Sequence, residues 1–183
     1  MQKTVDLNSF NNDWYKPGNL PKRILWYVTN ILFFKTMLPF PSSFKKILLI
    51  IFGAEIGKNI VIKPNVNIKY PWFLTIGDNC WIGEGVWIDN LTDIKIGNNV
   101  CLSQNSYLFT GNHNYKKSTF DLILGKIILE DGVWIGAKAI VSPKVTCKSY
   151  SILATGSVAV CDLEPYSIYQ GNPAEFKRYR IIS

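Results

Sequence analysis

Residues 129–159 read LEDGVWIGAKAIVSPKVTCKSYSILATGSVA, and their spacing decides the fold. Every sixth residue is apolar: Leu129, Ile135, Val141, Cys147, Leu153 and Ala159. The fourth residue after each of the first five is small or β-branched: Val133, Ala139, Val145, Ser151 and Ser157. A period of six fits neither the helical 3.6 nor the plain strand period of two. It is three strand periods with a corner in each unit. A chain with that pattern winds around one axis and points one apolar residue inward from each short strand.

The same frame recurs upstream. Ile56, Ile62 and Ile68 are in phase, with Ile60 and Val66 as their fourth-after partners. So are Ile76, Ile82 and Ile88 with Cys80 and Val86, and Ile96, Leu102 and Leu108 with Val100 and Ser106. Glycine follows the inward residue at Gly57, Gly77, Gly83, Gly97 and Gly136, where the lack of a Cβ would suit a tight corner. Coil starts at Ile56, Ile76, Ile96, Leu129 and Cys147 are 20, 20, 33 and 18 residues apart. The shortest interval is three hexapeptides, so the first two coils carry two extra residues each and the third carries fifteen. All three insertions follow the third strand, after Ile68, Ile88 and Leu108, and therefore stack at one corner. There Asp89 and Asn90 should lie about one strand spacing, ~5 Å, from Phe109 and Thr110 at the root of the long loop 109–128. The chain divides into an N-terminal arm and helical cap (1–54), a solenoid carrying that loop (55–164) and a tail (165–183).

At 183 residues, 48% hydrophobic and 18% charged, the chain can bury a sizeable core and does not read as disordered. The formal net charge is +7. Its basic residues are dispersed in pairs, Lys22-Arg23, Lys45-Lys46, Lys116-Lys117 and Lys177-Arg178, and no nucleic-acid motif accompanies them. A polyanionic small ligand or an anionic membrane surface accounts for the charge without nucleic acid. Four widely spaced cysteines with no CxxC read as reduced thiols of a cytosolic protein. A single histidine rules out a multi-histidine zinc site, and no metal is expected.

Residues 1–22 read as an extended polar arm without the basic start and apolar run of a signal peptide. Ile24–Phe34 and Phe44–Phe52 are apolar and aromatic, yet shorter than the ~20 residues needed to span a bilayer. One reading is two helices closing the open end of the solenoid. A second is an amphipathic hairpin whose residues 23–52 also make peripheral membrane contact. The run Glu175–Arg180 reads as a short tail helix.

The only histidine, His113, sits in the long loop. Imidazole is the natural base near neutral pH. Acyl transfer from a thioester to a hydroxyl needs such a base to take the hydroxyl proton, and needs no covalent enzyme intermediate. An ordinary exposed loop side chain is the plain alternative.

The runs TGNHNYKKSTFDL (110–122), LEDGVWIGAKAIVSPKV (129–145) and GNPAEFKR (171–178) resemble the colanic acid biosynthesis acetyltransferases. These stand close to the maltose, galactoside and nodulation acetyltransferases among the hexapeptide-repeat acyltransferases, and the resemblance covers nearly the whole chain from Trp14. It implies an all-β solenoid, a left-handed parallel β-helix with N-terminal helical segments. It also implies a homotrimer, acetyl-CoA as co-substrate in the groove between neighbouring subunits, and an acceptor sugar at the histidine loop. Residue by residue, His113 matches the general base. Trp134 matches an aromatic of the groove, beside Gly136, and the Ala137 N–H matches the donor that polarises the thioester carbonyl. Ser142, Thr155, Gly156 and Ser157 match positions along the pantetheine arm, and Lys177 and Arg178 match a basic tail near the CoA phosphates. Asn90, Asn112 and Tyr115 are placed on the acceptor. Trp81 and Trp87 share the repeat position of Trp134, and outward indoles suggest a binding or subunit surface.

Two departures stand out. Val160-Cys161 replaces a common Thr-Lys pair, and Asn114 replaces a common Asp after the histidine. Asp89 is the substitute for orienting imidazole or acceptor, a turn residue being its plain reading. The expected function is an acetyl-CoA-dependent O-acetyltransferase for a sugar of a surface polysaccharide or its lipid-linked precursor. Its expected place is the cytoplasm or the inner face of the cytoplasmic membrane. The rival readings are a same-fold acetyltransferase for an amino sugar or antibiotic, and a non-catalytic solenoid that binds a partner.

Overall fold

In a computed structural model, which describes residues 4–183, the chain winds from Glu55 onward as a parallel β-solenoid with three faces. The sequence phase is the spatial register. On the first face Ile56, Ile76, Ile96, Leu129 and Cys147 pair in succession. The second face stacks Ile62, Ile82, Leu102, Ile135, Leu153 and Tyr169. The third stacks Ile68, Ile88, Leu108, Val141 and Ala159. Apart from Ile56 at the open end, these inward residues are buried, so one apolar column runs the length of the solenoid and supplies its main driving force.

The corners differ from expectation in one respect. The left-handed backbone falls two residues after the glycine position, at Asn59, Asn79, Asn99 and Asn105, and at Gly85, Gly132 and Gly156. Asparagine and glycine tolerate it best, and Lys138, Lys144 and Tyr150 adopt it at the same corner position. The glycines after the inward residues serve close approach between coils instead: a Cβ on Gly77 would lie 2.7 Å from the Gly97 carbonyl carbon. At the corner between first and second faces, side chains also tie coil to coil. Asp78 accepts from the Lys58 N–H (2.7 Å), Asn98 from that of Asp78 (2.8 Å) and Asp131 from that of Asn98 (2.7 Å).

Helices α1 (Leu20–Phe33) and α2 (Ser42–Ile51) close the open end. Asn19 caps α1 by accepting the Lys22 N–H at 2.9 Å, with Pro21 in the first turn, both ordinary helix-start devices. Trp26 Nε1 donates to the Ile68 carbonyl at 2.9 Å, Lys45 Nζ to that of Lys63 at 2.8 Å, and Lys46 Nζ to that of Gly57. The helices thus satisfy edge carbonyls that would otherwise face water or another chain. Burial pushes the Lys45 ammonium below its ordinary pKa.

Two segments differ from the sequence reading. The tail is not a helix: Ser167–Gly171 and Ala174–Tyr179 form an antiparallel hairpin. Its first strand continues the second face in parallel with Ile152–Leu153, carrying the solenoid beyond residue 164. The charged run 175–180 is the outer strand of that hairpin, where charge protects a sheet edge. The long loop is also less irregular than expected, because Gly111–His113 pairs antiparallel with Leu122–Leu124 as a two-stranded ribbon. All four cysteines are free thiols. Trp81 and Trp134 point outward from the second face, whereas Trp87 lies on the third, stacked on Tyr107 at 4.7 Å.

Candidate active site

The ribbon sets His113 opposite Leu122 and turns its ring onto Phe120, the two planes 8° apart at 4.4 Å. The Phe120 carbonyl lies 2.9 Å from His113 Nδ1. A carbonyl only accepts, so Nδ1 carries a hydrogen, and in the neutral ring Nε2 then has the lone pair. Phe120 holds this geometry with φ +51°, a conformation that costs a bulky residue energy. From the other side Phe10 approaches the imidazole at 5.6 Å. The arm that carries Phe10 is fixed by the Asp6 N–H on the Ser118 carbonyl (2.9 Å) and the Tyr15 hydroxyl on the Leu91 carbonyl (2.6 Å). Burial raises the Tyr15 phenol pKa and keeps it protonated.

His113 opens into a cavity of about 390 Å³ lined also by Phe10, Tyr15, Arg23, Lys69 and Tyr70. Lys69 and Tyr70 are the two-residue insertion of the first coil, Asp89 and Asn90 that of the second. The stacking expected from spacing is present: Asp89 pairs with Phe109, and the Thr110 N–H reaches the Asp89 carbonyl at 3.2 Å.

The chemistry assigned to that corner needs correction. Asp89 makes no hydrogen bond to His113 within the chain. Lys69 Nζ lies 3.2 Å from its Oδ1, outside hydrogen-bond alignment, and the Tyr107 hydroxyl donates to its Oδ2 at 3.2 Å. The orienting group is the Phe120 carbonyl, a backbone atom that no side-chain pattern announces. Nor does Asn90 face an acceptor. It is fully buried, and its amide donates to the Tyr70 carbonyl (2.6 Å) and accepts the Tyr70 N–H (3.0 Å). Asn90→Ala should therefore cost about 1–3 kcal/mol of stability through unpaired amide groups, read as a lower urea midpoint. Asn112 is exposed, and its Oδ1 accepts the His113 N–H at 2.8 Å. Tyr115 is 75% exposed.

Trp134 is half exposed on the second face, and its Nε1 donates to Ser103 Oγ at 2.8 Å. Gly136 is buried where the next coil passes close, a Cβ there meeting the Thr155 nitrogen at 2.6 Å. At the corner between second and third faces, the N–H groups of Glu84, Gln104, Ala137 and Thr155 donate to no group among the described residues. They form a column of backbone donors about 5 Å apart. At the neighbouring corner the Lys58, Asp78 and Asn98 N–H groups are taken up by the carboxylate and amide ladder. Thr155 and Gly156 are exposed beside Ala137, while Ser142 follows the third face at the next corner. The Ser157 side chain is unavailable, because its buried hydroxyl accepts the Gly171 N–H at 3.0 Å and pins the tail. Lys177 and Arg178 are exposed on the outer hairpin strand, Lys177 3.5 Å from Glu175. Arg180 instead clamps the hairpin to the coils through the Gly132 (2.9 Å) and Tyr150 (3.2 Å) carbonyls. Among the described residues no group of His, Cys, Asp and Glu could hold a metal.

His113 thus rises from the corner between third and first faces, and Ala137, Thr155 and Gly156 stand at the corner between second and third. The whole third face, roughly 15 Å of extended chain, separates them.

No family model matches the chain. WcaF of Escherichia coli, named for acetyl transfer in colanic acid biosynthesis, is 34% identical over 177 residues, 96% of this chain and 97% of that one. The fold is shared with a hexapeptide-repeat acetyltransferase of Vibrio cholerae solved with acetyl coenzyme A (TM-score 0.78, 22% identity, 88% of each chain). It is shared too with a maltose O-acetyltransferase from Clostridium difficile (TM-score 0.77, 20% identity, 94% of this chain and 91% of that one). The chain belongs to the hexapeptide-repeat acetyltransferases, enzymes built on a left-handed parallel β-helix.

Proposed function

We propose that the protein is an acetyl-CoA-dependent O-acetyltransferase that acetylates a sugar hydroxyl in surface polysaccharide assembly, working as a homotrimer. The observation that carries this reading is His113, with Nδ1 held by the Phe120 carbonyl and Nε2 free beside a polar cavity. The hydroxyl oxygen of the acceptor attacks the thioester carbonyl carbon as Nε2 takes its proton. The Ala137 N–H stabilises the oxyanion of the tetrahedral intermediate. Collapse expels CoA as the thiolate, which takes the proton back from imidazolium, leaving ester and free CoA. Because the two half-sites of one chain are a face apart, His113 of one subunit meets the Ala137 corner of its neighbour. Three-fold closure produces three such sites. The acceptor occupies the cavity beside Tyr15, Arg23 and Lys69, with Asn112 and Tyr115 at its exposed rim. The role of Asp89 is to hold Lys69 at that rim.

The donor runs past Trp134 and along Thr155 and Gly156 to the hairpin, with Lys177 and Arg178 on the phosphates, and Ser142 faces it from the His113 corner of the neighbouring subunit. Cys161, where a lysine is common, leaves more of that charge to the hairpin. Lys177→Ala/Arg178→Ala should weaken acetyl-CoA binding more than binding of a dephospho-CoA thioester, measured by calorimetry. Equal losses would take the tail away from the 3′-phosphate. Consumption of acetyl-CoA against a panel of sugars and amino sugars tests the activity itself. Acetylation confined to amines, or no acetylation by a trimer confirmed by light scattering, would replace this reading.

A further inference from the structure

The helical cap is apolar on its outer side as well as on the side that buries Trp26, Phe34, Leu49 and Phe52. A surface helix ordinarily buries its apolar stripe and shows polar residues to water. In α1 the residues turned toward the solenoid include Arg23, Thr29 and Asn30, and Asn30 Nδ2 donates to Asn67 Oδ1 at 2.8 Å. Its outward residues are Leu20, Ile24, Leu25, Val28, Ile31 and Leu32, between 42% and 61% exposed. In α2 Lys45 and Lys46 point inward onto edge carbonyls, and Phe44, Ile47, Ile50 and Ile51 point outward. The segment joining the helices adds Met37 and Leu38, 64% and 60% exposed. So many exposed apolar side chains on two helices and their linker mark a binding face.

Charge identifies what covers it. Residues 14–77 hold nine of the 20 basic residues and one of the 13 acidic ones, leaving 11 basic and 12 acidic for the rest of the chain. The positive excess of the chain therefore falls in the segment that carries the cap, although Lys45 and Lys46 point inward and Lys69 pairs with Asp89. Exposed Lys16, Lys35 and Lys58 belong to it. Two copies of such a surface would repel each other, whereas anionic lipid headgroups match both its charge and its apolar faces. No helix among the described residues is long and apolar enough to cross a membrane, and α1 at 14 residues is about 21 Å long, a length that lies in an interface.

We propose that the outer faces of α1 and α2, with the linking Met37 and Leu38, dock the protein on an anionic bilayer surface. This does not depend on the catalytic reading. The test is flotation of the full chain with pure phosphatidylcholine vesicles and with vesicles that also contain phosphatidylglycerol. Binding to the anionic vesicles, weakened by salt, is expected. Leu25→Glu/Ile47→Glu should reduce it about tenfold or more. The two side chains are 60% and 55% exposed, so the fold, the oligomeric state and acetyl transfer to a soluble sugar should survive. Lys35→Glu/Lys58→Glu, which leaves the apolar faces intact, should reduce it too. No flotation, equal flotation with both vesicle types, or unchanged binding by both variants would overturn the proposal. A change in oligomeric state of the Leu25→Glu/Ile47→Glu variant would assign the surface to contacts between copies of the chain instead. Either outcome leaves the acetyl-transfer assay unaffected as a separate test.

Discussion

Replacing His113 by alanine should lower kcat about 10²–10⁴-fold, the usual size of a general-base contribution, with acetyl-CoA affinity nearly unchanged. The split follows from geometry. His113 sits in the polar cavity, whereas the donor is placed along another corner and the tail hairpin. The pH profile adds a second readout. Only neutral imidazole can take the hydroxyl proton, so wild-type activity should rise with pH through one ionisation and the variant should lack it. Steady-state kinetics on one accepted sugar, with the donor Kd measured separately, check both points. A variant with near-wild-type kcat, or one that fails chiefly in donor binding, would remove His113 from the reaction.

The second large effect concerns a backbone atom. Ala137→Pro deletes the N–H assigned to the oxyanion and should lower kcat by about 10²–10³-fold, the cost of losing one such donor. Proline suits this corner, because Pro64 and Pro143 occupy the same place in their own hexapeptides. The Ala137 N–H also makes no hydrogen bond among the described residues, so its loss should leave the fold intact. The thermal midpoint should stay close to wild type while turnover falls. A fully active Ala137→Pro enzyme would place oxyanion stabilisation elsewhere.

The solenoid was legible because its driving force repeats in sequence. A residue that must point inward every sixth position cannot be disguised, and the coil starts from Ile56 to Cys147 are neighbours on one face. The interval arithmetic also located the corner at which Lys69-Tyr70, Asp89-Asn90 and the His113 ribbon meet. What did not show was chemistry carried by the backbone or by distant chain. The Phe120 carbonyl orients His113 through a left-handed backbone conformation, which composition does not encode. Phe10 and Tyr15 reach the site from an arm whose polar sequence carries no periodicity. Asn90 and Ser157 read as site residues, and their side chains bond backbone groups of the chain, as any short polar side chain at a corner can. The tail hairpin was missed because six charged and aromatic residues fit an edge strand as well as a helix turn.

The central claim is that each site combines His113 of one subunit with the Ala137 corner of the next. Mixing two inactive chains tests it most directly. Chains carrying His113→Ala and chains carrying Ala137→Pro, each with its own affinity tag, are co-expressed, and mixed oligomers are isolated through both tags. If the site spans two subunits, some interfaces pair an intact His113 with an intact Ala137. Every mixed trimer has one such interface in three, so the mixed species should recover activity to about a third of the wild-type level. Each homomeric variant should stay inactive. Mixed oligomers as inactive as either parent would place both groups within one chain and contradict the shared site.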